Sequence, residues 1–467
     1  MSLSSRFLIA AIAASVLCAC ITPFQRDLFV GDETKYGQVV REMRSTGAFF
    51  LPTLNGAPFT HKPPLHFWLI DLLTIPLGVY STWAFVLPSL LAFIFLLWLM
   101  WKMGGPVAAF VCATSLMVWG SAQSARMDVS FTAFIVLGIW MMQRDKLLPA
   151  GVAIGIATLI KGPMAPVIAI VLYLLEWKRR PRQGLIAGIA AMIIIPLLWF
   201  APAMLVGGSS YTREIIVKQT IGRAISTWVH NAPPWFYVLH LPGLLFPWFF
   251  VAIAALRGAN RFYVNWILAV IVPYSLLSSK LDVYMMAMIP PVALMIADRT
   301  SLVANRITLA LLIVPVVFVS RVPVQAQPLL IILAVAAALA LLTWRSPVLS
   351  TIAVGLVPLV PLVYATLTLM PFINDIGSTR LLIAAIEKQR VAPEAVALYT
   401  CPYLWSRDFL AKKELERVRY VGADDIGQPA VIATSRTHAS EIAATLKNYR
   451  RVDSLQMIGK WFDVYRR

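Results

Sequence analysis

The sequence predicts a polytopic α-helical membrane protein of about thirteen transmembrane helices with a small C-terminal periplasmic α/β domain, the domains running 1–370 and 371–467. Three observations predict it. Hydrophobic residues make up 59% of the 467-residue chain and charged residues 13%, against roughly 45–50% apolar residues in soluble proteins. The apolar runs are separated by short loops in which Lys and Arg gather in clusters. After Met370 the composition turns mixed and charged. The formal charge of +18 therefore reads as membrane topology and not as a nucleic-acid surface.

The first apolar run, residues 7–24, has a signal-like core, and Leu17 to Cys20 loosely mimics a lipoprotein cleavage box. Further spans follow, so the reading is a retained helix with Arg6 in the cytoplasm. The four cysteines form no CxxC pair or Cys/His cluster, which supports neither a disulfide framework nor a zinc site. Leu65 to Tyr80 is the ambiguous segment. At 1.5 Å per residue it rises only about 24 Å, short of a roughly 30 Å hydrocarbon core. It also carries Asp71, Pro76 and Gly78, and it reads as an interfacial helix.

The remaining spans are then 83–101, 104–121, 129–142, 147–160, 163–177, 184–206, 234–256, 262–279, 283–297, 306–320, 327–344 and 348–370. With this count Lys102, Arg144, Lys146, the cluster Lys178 to Arg182, Arg257, Arg261, Arg299, Arg306 and Arg345 all share the side of Arg6, as the positive-inside bias requires. The loop 25–82, the turns around Arg126, Lys161 and Lys280, the loop 207–233 and everything after 370 face the other side. In the C-terminal region "AVALYT" and "PAVIAT" read as strands, and "STRLLIAAIEKQR" and "ASEIAATLKNYR" as helices.

The ionisable loop residues converge on the exported face, where groups near membrane depth tend to be functional. Asp32 and Glu33 directly follow the first span. The run "ETKYGQVVREM" after them has helical spacing with Tyr36, Val39, Val40 and Met43 on one side. A carboxylate held there can take a proton from an acceptor hydroxyl. Equally, Asp32 can cap the helix and Glu33 complement its dipole. Lys62 stands before two prolines that disfavour helix, at the head of the interfacial segment. An ammonium there suits a phosphate, or simply snorkels to anionic lipid. Arg126 and Asp128 in "SARMDVS" read as a phosphate contact or an interfacial ion pair, and lone His61 and His230 more commonly serve structure than metal. No GxGxxG or Walker loop is present, so a nucleotide-activated donor is disfavoured. A donor carried on a lipid phosphate would arrive through the bilayer, where cations stabilise the departing phosphate.

The order "DETKYGQVVREMRSTGAFFLPTLNGAPFTHKPPLHFW", "ARMD", "LIKGP", "HNAPPWFYVLHLPGLLFPW" and "SSKLDVYMMAMIPP" resembles the bacterial branch of the C-type, polyprenyl-phosphate-dependent glycosyltransferases. That branch includes the lipid A aminoarabinose transferases and is related to protein O-mannosyltransferases. The likeness covers most of residues 1–300. It implies a catalytic acidic pair at Asp32 and Glu33, a lipid-phosphate contact at Lys62, second-loop roles for Arg126 and Asp128, inversion at the sugar carbon, and thirteen helices.

The expected protein is thus an inner-membrane glycosyltransferase, with its N-terminus cytoplasmic. It moves one sugar from an undecaprenyl-phosphate-type carrier to a lipid or glycan acceptor such as lipid A on the periplasmic face. Lys62, Arg126, Lys161, Arg223 and Lys280 would hold the donor phosphate. Tyr36, His61, Asp128, His230 and Tyr284 would position substrate. Membrane lipids are the expected surroundings; no metal, cofactor or nucleic acid is called for, and the sequence assigns no oligomeric state. Transfer to a protein hydroxyl is the alternative within enzymes. A lipid-linked sugar flippase is the alternative outside them, and would place its ionisable groups near the midplane and show inverted repeats.

Overall fold

Inside a hydrocarbon layer each main-chain N–H and C=O must be satisfied within the protein, so long apolar runs fold as helices. The computed structural model describes residues 3–176, 183–222, 231–343, 346–405 and 417–467. Six helices among them are long and apolar enough to cross a membrane: Ser5–Gln25, Thr82–Thr114, Leu185–Val217, Leu302–Arg321, Val324–Leu342 and Pro347–Gly377. Phe236–Leu244 and Phe249–Leu256 form a seventh candidate, bent by 111°. The other expected spans fold as shorter or segmented helices, such as Asp128–Gln143, Leu147–Lys161, Met164–Leu175 and Arg261–Leu276. Leu65–Leu77, the ambiguous segment, is a 13-residue helix.

Glycine sets two of the breaks. Thr82–Thr114 loses helical geometry at Gly104 and Gly105, the latter at φ 72°, close to where the sequence separates its second and third spans. Leu185–Arg213 breaks at Gly208, φ 71°, and then continues as a π-turn segment, Glu214–Gly222. These positive angles are ones a residue with a Cβ rarely adopts.

The chain divides into two compact units. One comprises Met1–Thr22, Pro58–His66 and Pro88–Thr366. Its helices meet through small residues: a Cβ at Gly151 would lie 1.9 Å from the Gly188 carbonyl oxygen, so Leu147–Lys161 and Leu185–Arg213 touch backbone to backbone. Gly151 and Gly155 form the small-xxx-small pattern that permits such an approach. Polar bonds fix the first helix in this unit. The Ser15 hydroxyl donates to the Ala113 carbonyl at 2.8 Å, and the Trp119 indole N–H donates to the Ser15 carbonyl at 3.1 Å.

The other unit comprises Pro23–Ala57, Phe67–Leu87 and Leu367–Arg467. It contains a five-stranded sheet in the order Arg419–Val421, Val396–Tyr399, Val431–Ser435, Lys460–Arg466, Arg450–Met457. The first three strands are parallel, and the last two form an antiparallel hairpin. Leu382, Ile383 and Ile386 of the helix Arg380–Glu387 lie in one apolar cluster with Val396, Leu398, Val431, Phe462 and Val464.

The sequence reading differs here in one respect. "ASEIAATLKNYR" gives only a 3₁₀ segment, Arg436–Ile442, and one helical turn, Ala443–Leu446, before the chain enters a strand at Arg450. The hairpin that follows turns at Ile458 and Gly459, both at positive φ, the geometry of a type I′ turn. Its two strands pair from Arg450 to Arg466, and cross-strand side-chain pairs stabilise such a hairpin.

Candidate functional site

In the sheet-containing unit, Gly31 (φ 120°) turns the chain into the helix Asp32–Thr46. The helix has no side-chain cap. Asp32 is its first residue and stands half-buried. Glu33 is 5% exposed and folds back on the preceding loop. Its carboxylate accepts both guanidinium arms of Arg26, one at 3.0 Å, and the Phe29 N–H at 2.7 Å. Arg26 also stacks over the Phe29 ring, 4.2 Å from its centroid. Tyr36, Val39, Val40 and Met43 are buried together, as the helical spacing predicts, and Tyr36 meets Phe67 edge-on at 5.2 Å.

In the helical unit, Arg126, Asp128 and Lys161 come together. Asp128 is 4% exposed at the start of Asp128–Gln143. It accepts from the Arg126 Nε at 3.2 Å and from the Lys161 ammonium. The two helices explain the meeting: Asp128–Gln143 and Leu147–Lys161 are joined by three residues, so the start of one lies beside the end of the other. Burial pushes the Asp128 carboxyl up, but Lys161, Arg126 and the charge of Lys62 outweigh it and hold it down at about 2. The Lys161 ammonium also lies over the rings of Tyr284 and Phe131, at 4.6 and 5.4 Å. Tyr284 in turn stacks on Tyr274 at 5.3 Å.

His66 is fully enclosed in the same unit. Burial lowers its imidazole to about 4 against the opposing field of Asp128, which keeps it neutral. Lys62 is half-buried four residues earlier, and His61 is exposed with its ring 5.2 Å from Phe59. Lys280 is 3% exposed, its ammonium donates to the Leu277 carbonyl, and burial lowers its pKa. It lines an open cavity of about 480 Å³ with Asn231, Pro233, Pro234 and Ser278. Arg223 and His230 lie outside the described residues. Among the described residues no three His, Cys, Asp or Glu side chains form a metal-holding group.

Sequence reasoning passed over Arg26, His66 and Tyr274. Arg26 carried a signal, since "QRD" places opposite charges where the first apolar run ends. His66 and Tyr274 sit inside apolar runs that offered none.

No family model matches the chain. The structure superposes on the crystal structure of ArnT from Cupriavidus metallidurans bound to undecaprenyl phosphate, with a TM-score of 0.74, 18% identity and 98% of each chain covered. The chain has the ArnT fold. Its apo counterpart gives a TM-score of 0.75 at 19% identity. Among curated proteins, the chain is 27% identical over 316 residues to the undecaprenyl phosphate-alpha-4-amino-4-deoxy-L-arabinose arabinosyl transferase of Edwardsiella ictaluri. It is also 27% identical over 349 residues to the second such transferase of Pseudomonas fluorescens. These alignments span 55% and 62% of the relatives' lengths and 58% and 65% of this chain. The resemblance read from the motifs is thus matched by curated relatives named as transferases and by the fold.

Two outcomes follow for the ArnT-like helical unit. Removing the charge in Asp128→Asn leaves the Lys161 ammonium buried and under-compensated, and costs about 3–5 kcal/mol. The thermal midpoint in detergent should fall, and Asp128→Asn with Lys161→Met should recover part of the loss. The neutral state of His66 is favoured by folding, so its contribution is complete above its ordinary pKa of 6.5 and is lost as the pH falls towards 4. Between pH 7 and 4 the wild-type midpoint should decline more steeply than that of His66→Gln. Parallel declines would remove His66 as the cause.

Proposed function

We propose that this protein is a membrane glycosyltransferase that moves a single sugar from a polyprenyl-phosphate carrier to an acceptor of the cell envelope. The observation that carries the reading is the cluster at the ends of two short apolar helices, where the carboxylate of Asp128 is outnumbered by Arg126 and Lys161 at contact distance. Such a surplus of fixed positive charge suits a leaving phosphate, and its donors need no reorganisation as the charge develops. The curated relatives are named as transferases that take their sugar from undecaprenyl phosphate, and the fold is that of a protein crystallised with undecaprenyl phosphate.

In the proposed reaction an acceptor oxygen attacks the anomeric carbon and the bond from that carbon to the phosphate oxygen breaks. The phosphate leaves with the electron pair, held by Arg126 and Lys161 with Lys62 and Lys280. Asp32 takes the proton of a hydroxyl acceptor, or orients an acceptor that is already an anion. Glu33, committed to Arg26, supports the loop that carries Asp32. Tyr284, stacked and facing Lys161, positions the ammonium. An acceptor of the lipid A or glycan kind is what the motif resemblance implies.

The proposed topology has thirteen crossings in the inner membrane, with the N-terminus in the cytoplasm and the C-terminal domain in the periplasm. The basic loop residues that share the side of Arg6 support it. Reporters fused after Lys178 and after Met370 should report opposite compartments, and a shared compartment overturns the topology. For the activity, envelope lipids and glycans from a deletion strain complemented with wild type or Asp32→Asn should differ by one sugar on one species, present with wild type alone. Full modification with Asp32→Asn removes Asp32 from the chemistry. Identical profiles in all strains turn the reading towards lipid-linked sugar transport.

A further inference from the structure

Three polar main-chain groups of the loop that leads to Asp32, the Gln25 carbonyl and the N–H groups of Asp27 and Val30, are held by residues far along the chain. These three ties come from the C-terminal region. Asn374, 2% exposed on the helix Met370–Gly377, makes two of them at once. Its amide N–H donates to the Gln25 carbonyl at 2.8 Å, and its amide oxygen accepts the Asp27 N–H at 3.0 Å. Three residues on, the Gly377 carbonyl accepts the Val30 N–H at 2.8 Å. Arg380 closes the grip on the side chain, with its Nη2 at 2.9 Å from the Asp27 carboxylate, which also accepts the Ser378 hydroxyl at 3.3 Å. Asp27 is itself 4% exposed.

The same region also underlies the helix after the loop. A Cβ at Gly37 would touch the Trp405 ring at 3.5 Å, and Arg41 donates to the Leu404 carbonyl at 3.3 Å. The grip connects onward to the sheet, because the Ile458 N–H at the hairpin turn donates to the Ile376 carbonyl at 2.8 Å. A continuous run of bonds therefore leads from the hairpin through residues 374–380 to residues 25–30, and from there to Asp32.

We infer that Asn374 and Arg380 are positioning residues for transfer: the C-terminal domain acts as the jig that fixes the loop bearing Asp32, and is a working part of the enzyme. This rests on the proposed role of Asp32. A carboxylate displaced by about 1 Å can cost on the order of a hundredfold in rate, while the cations that hold the donor phosphate belong to other segments of the chain. Loosening the jig therefore lowers kcat and leaves the KM for the lipid donor unchanged.

The test uses the full-length protein in detergent, a polyprenyl-phosphate sugar donor and the acceptor found by envelope profiling, with rates expressed per folded monodisperse molecule. Asn374→Ala and Arg380→Ala should each lower kcat about 10- to 100-fold with donor KM within about twofold. Arg380→Lys, which keeps the charge against Asp27, should recover most of the rate. Arg417→Ala removes an exposed ion pair to Glu394 in the same unit and should leave the rate unchanged. Wild-type kcat per folded molecule in both Asn374→Ala and Arg380→Ala, beside an inactive Asp32→Asn, overturns the jig. A rise in donor KM with kcat intact also overturns it. An active Asp32→Asn fails the underlying reading instead, whatever the other variants do.

Discussion

A carboxylate that leaves water has to find a cation, and that requirement organises the chemistry-bearing parts of this protein. Asp128 and Glu33 are both almost wholly buried, and each is answered by arginine or lysine at contact distance. Breaking such a pair by removing one member costs several kcal/mol because the survivor stays buried and charged. The pairs therefore fix geometry more firmly than the apolar packing around them, which tolerates repacking. In the helical unit the requirement places Arg126 and Lys161 on one carboxylate although 34 residues lie between them in the chain. In the sheet-containing unit it turns Glu33 back onto Arg26 and the Phe29 N–H, while Asp32 next to it stays half-buried.

The two acidic neighbours show how one residue of offset divides their surroundings. Asp32 and Glu33 are adjacent in a helix, so their side chains diverge by about 100° around its axis. One turns into the loop and meets Arg26 and the Phe29 N–H; the other remains half-buried. Two adjacent carboxylates thus end in different surroundings, one paired with arginine and one at the head of the helix.

Much of this was legible from residue order. Apolar runs and basic loops give the helical character directly, and the spacing of Tyr36, Val39, Val40 and Met43 gives the buried face of the first-loop helix. The meeting of Arg126 with Asp128 follows from their separation of two residues. Lys161 joining them does not, because it depends on two helices being joined by a turn short enough to bring their ends together. Arg380 against Asp27 is further beyond reach, since it spans most of the chain. The terminal hairpin was hidden for another reason: its alternation is interrupted by a register shift between Arg451 and Asp453, which blurs the period-2 signal.

The short helices carry a consequence for how a lipid-borne substrate would be met. Asp128–Gln143 and Leu147–Lys161 contain 16 and 15 residues, a rise of about 24 and 23 Å, against a hydrocarbon thickness of roughly 30 Å. Hydrophobic mismatch of this size is relieved either by thinning of the bilayer or by enclosing the helix ends in protein. Eleven residues of the first helix are buried, so protein takes up much of the deficit. The charged ends are thereby recessed below the level that a full-length span would reach. For the proposed lipid-linked donor, such a depth would let the phosphate be met near the head groups while the isoprenoid tail stays among the acyl chains, sparing the cost of lifting the lipid out of the leaflet.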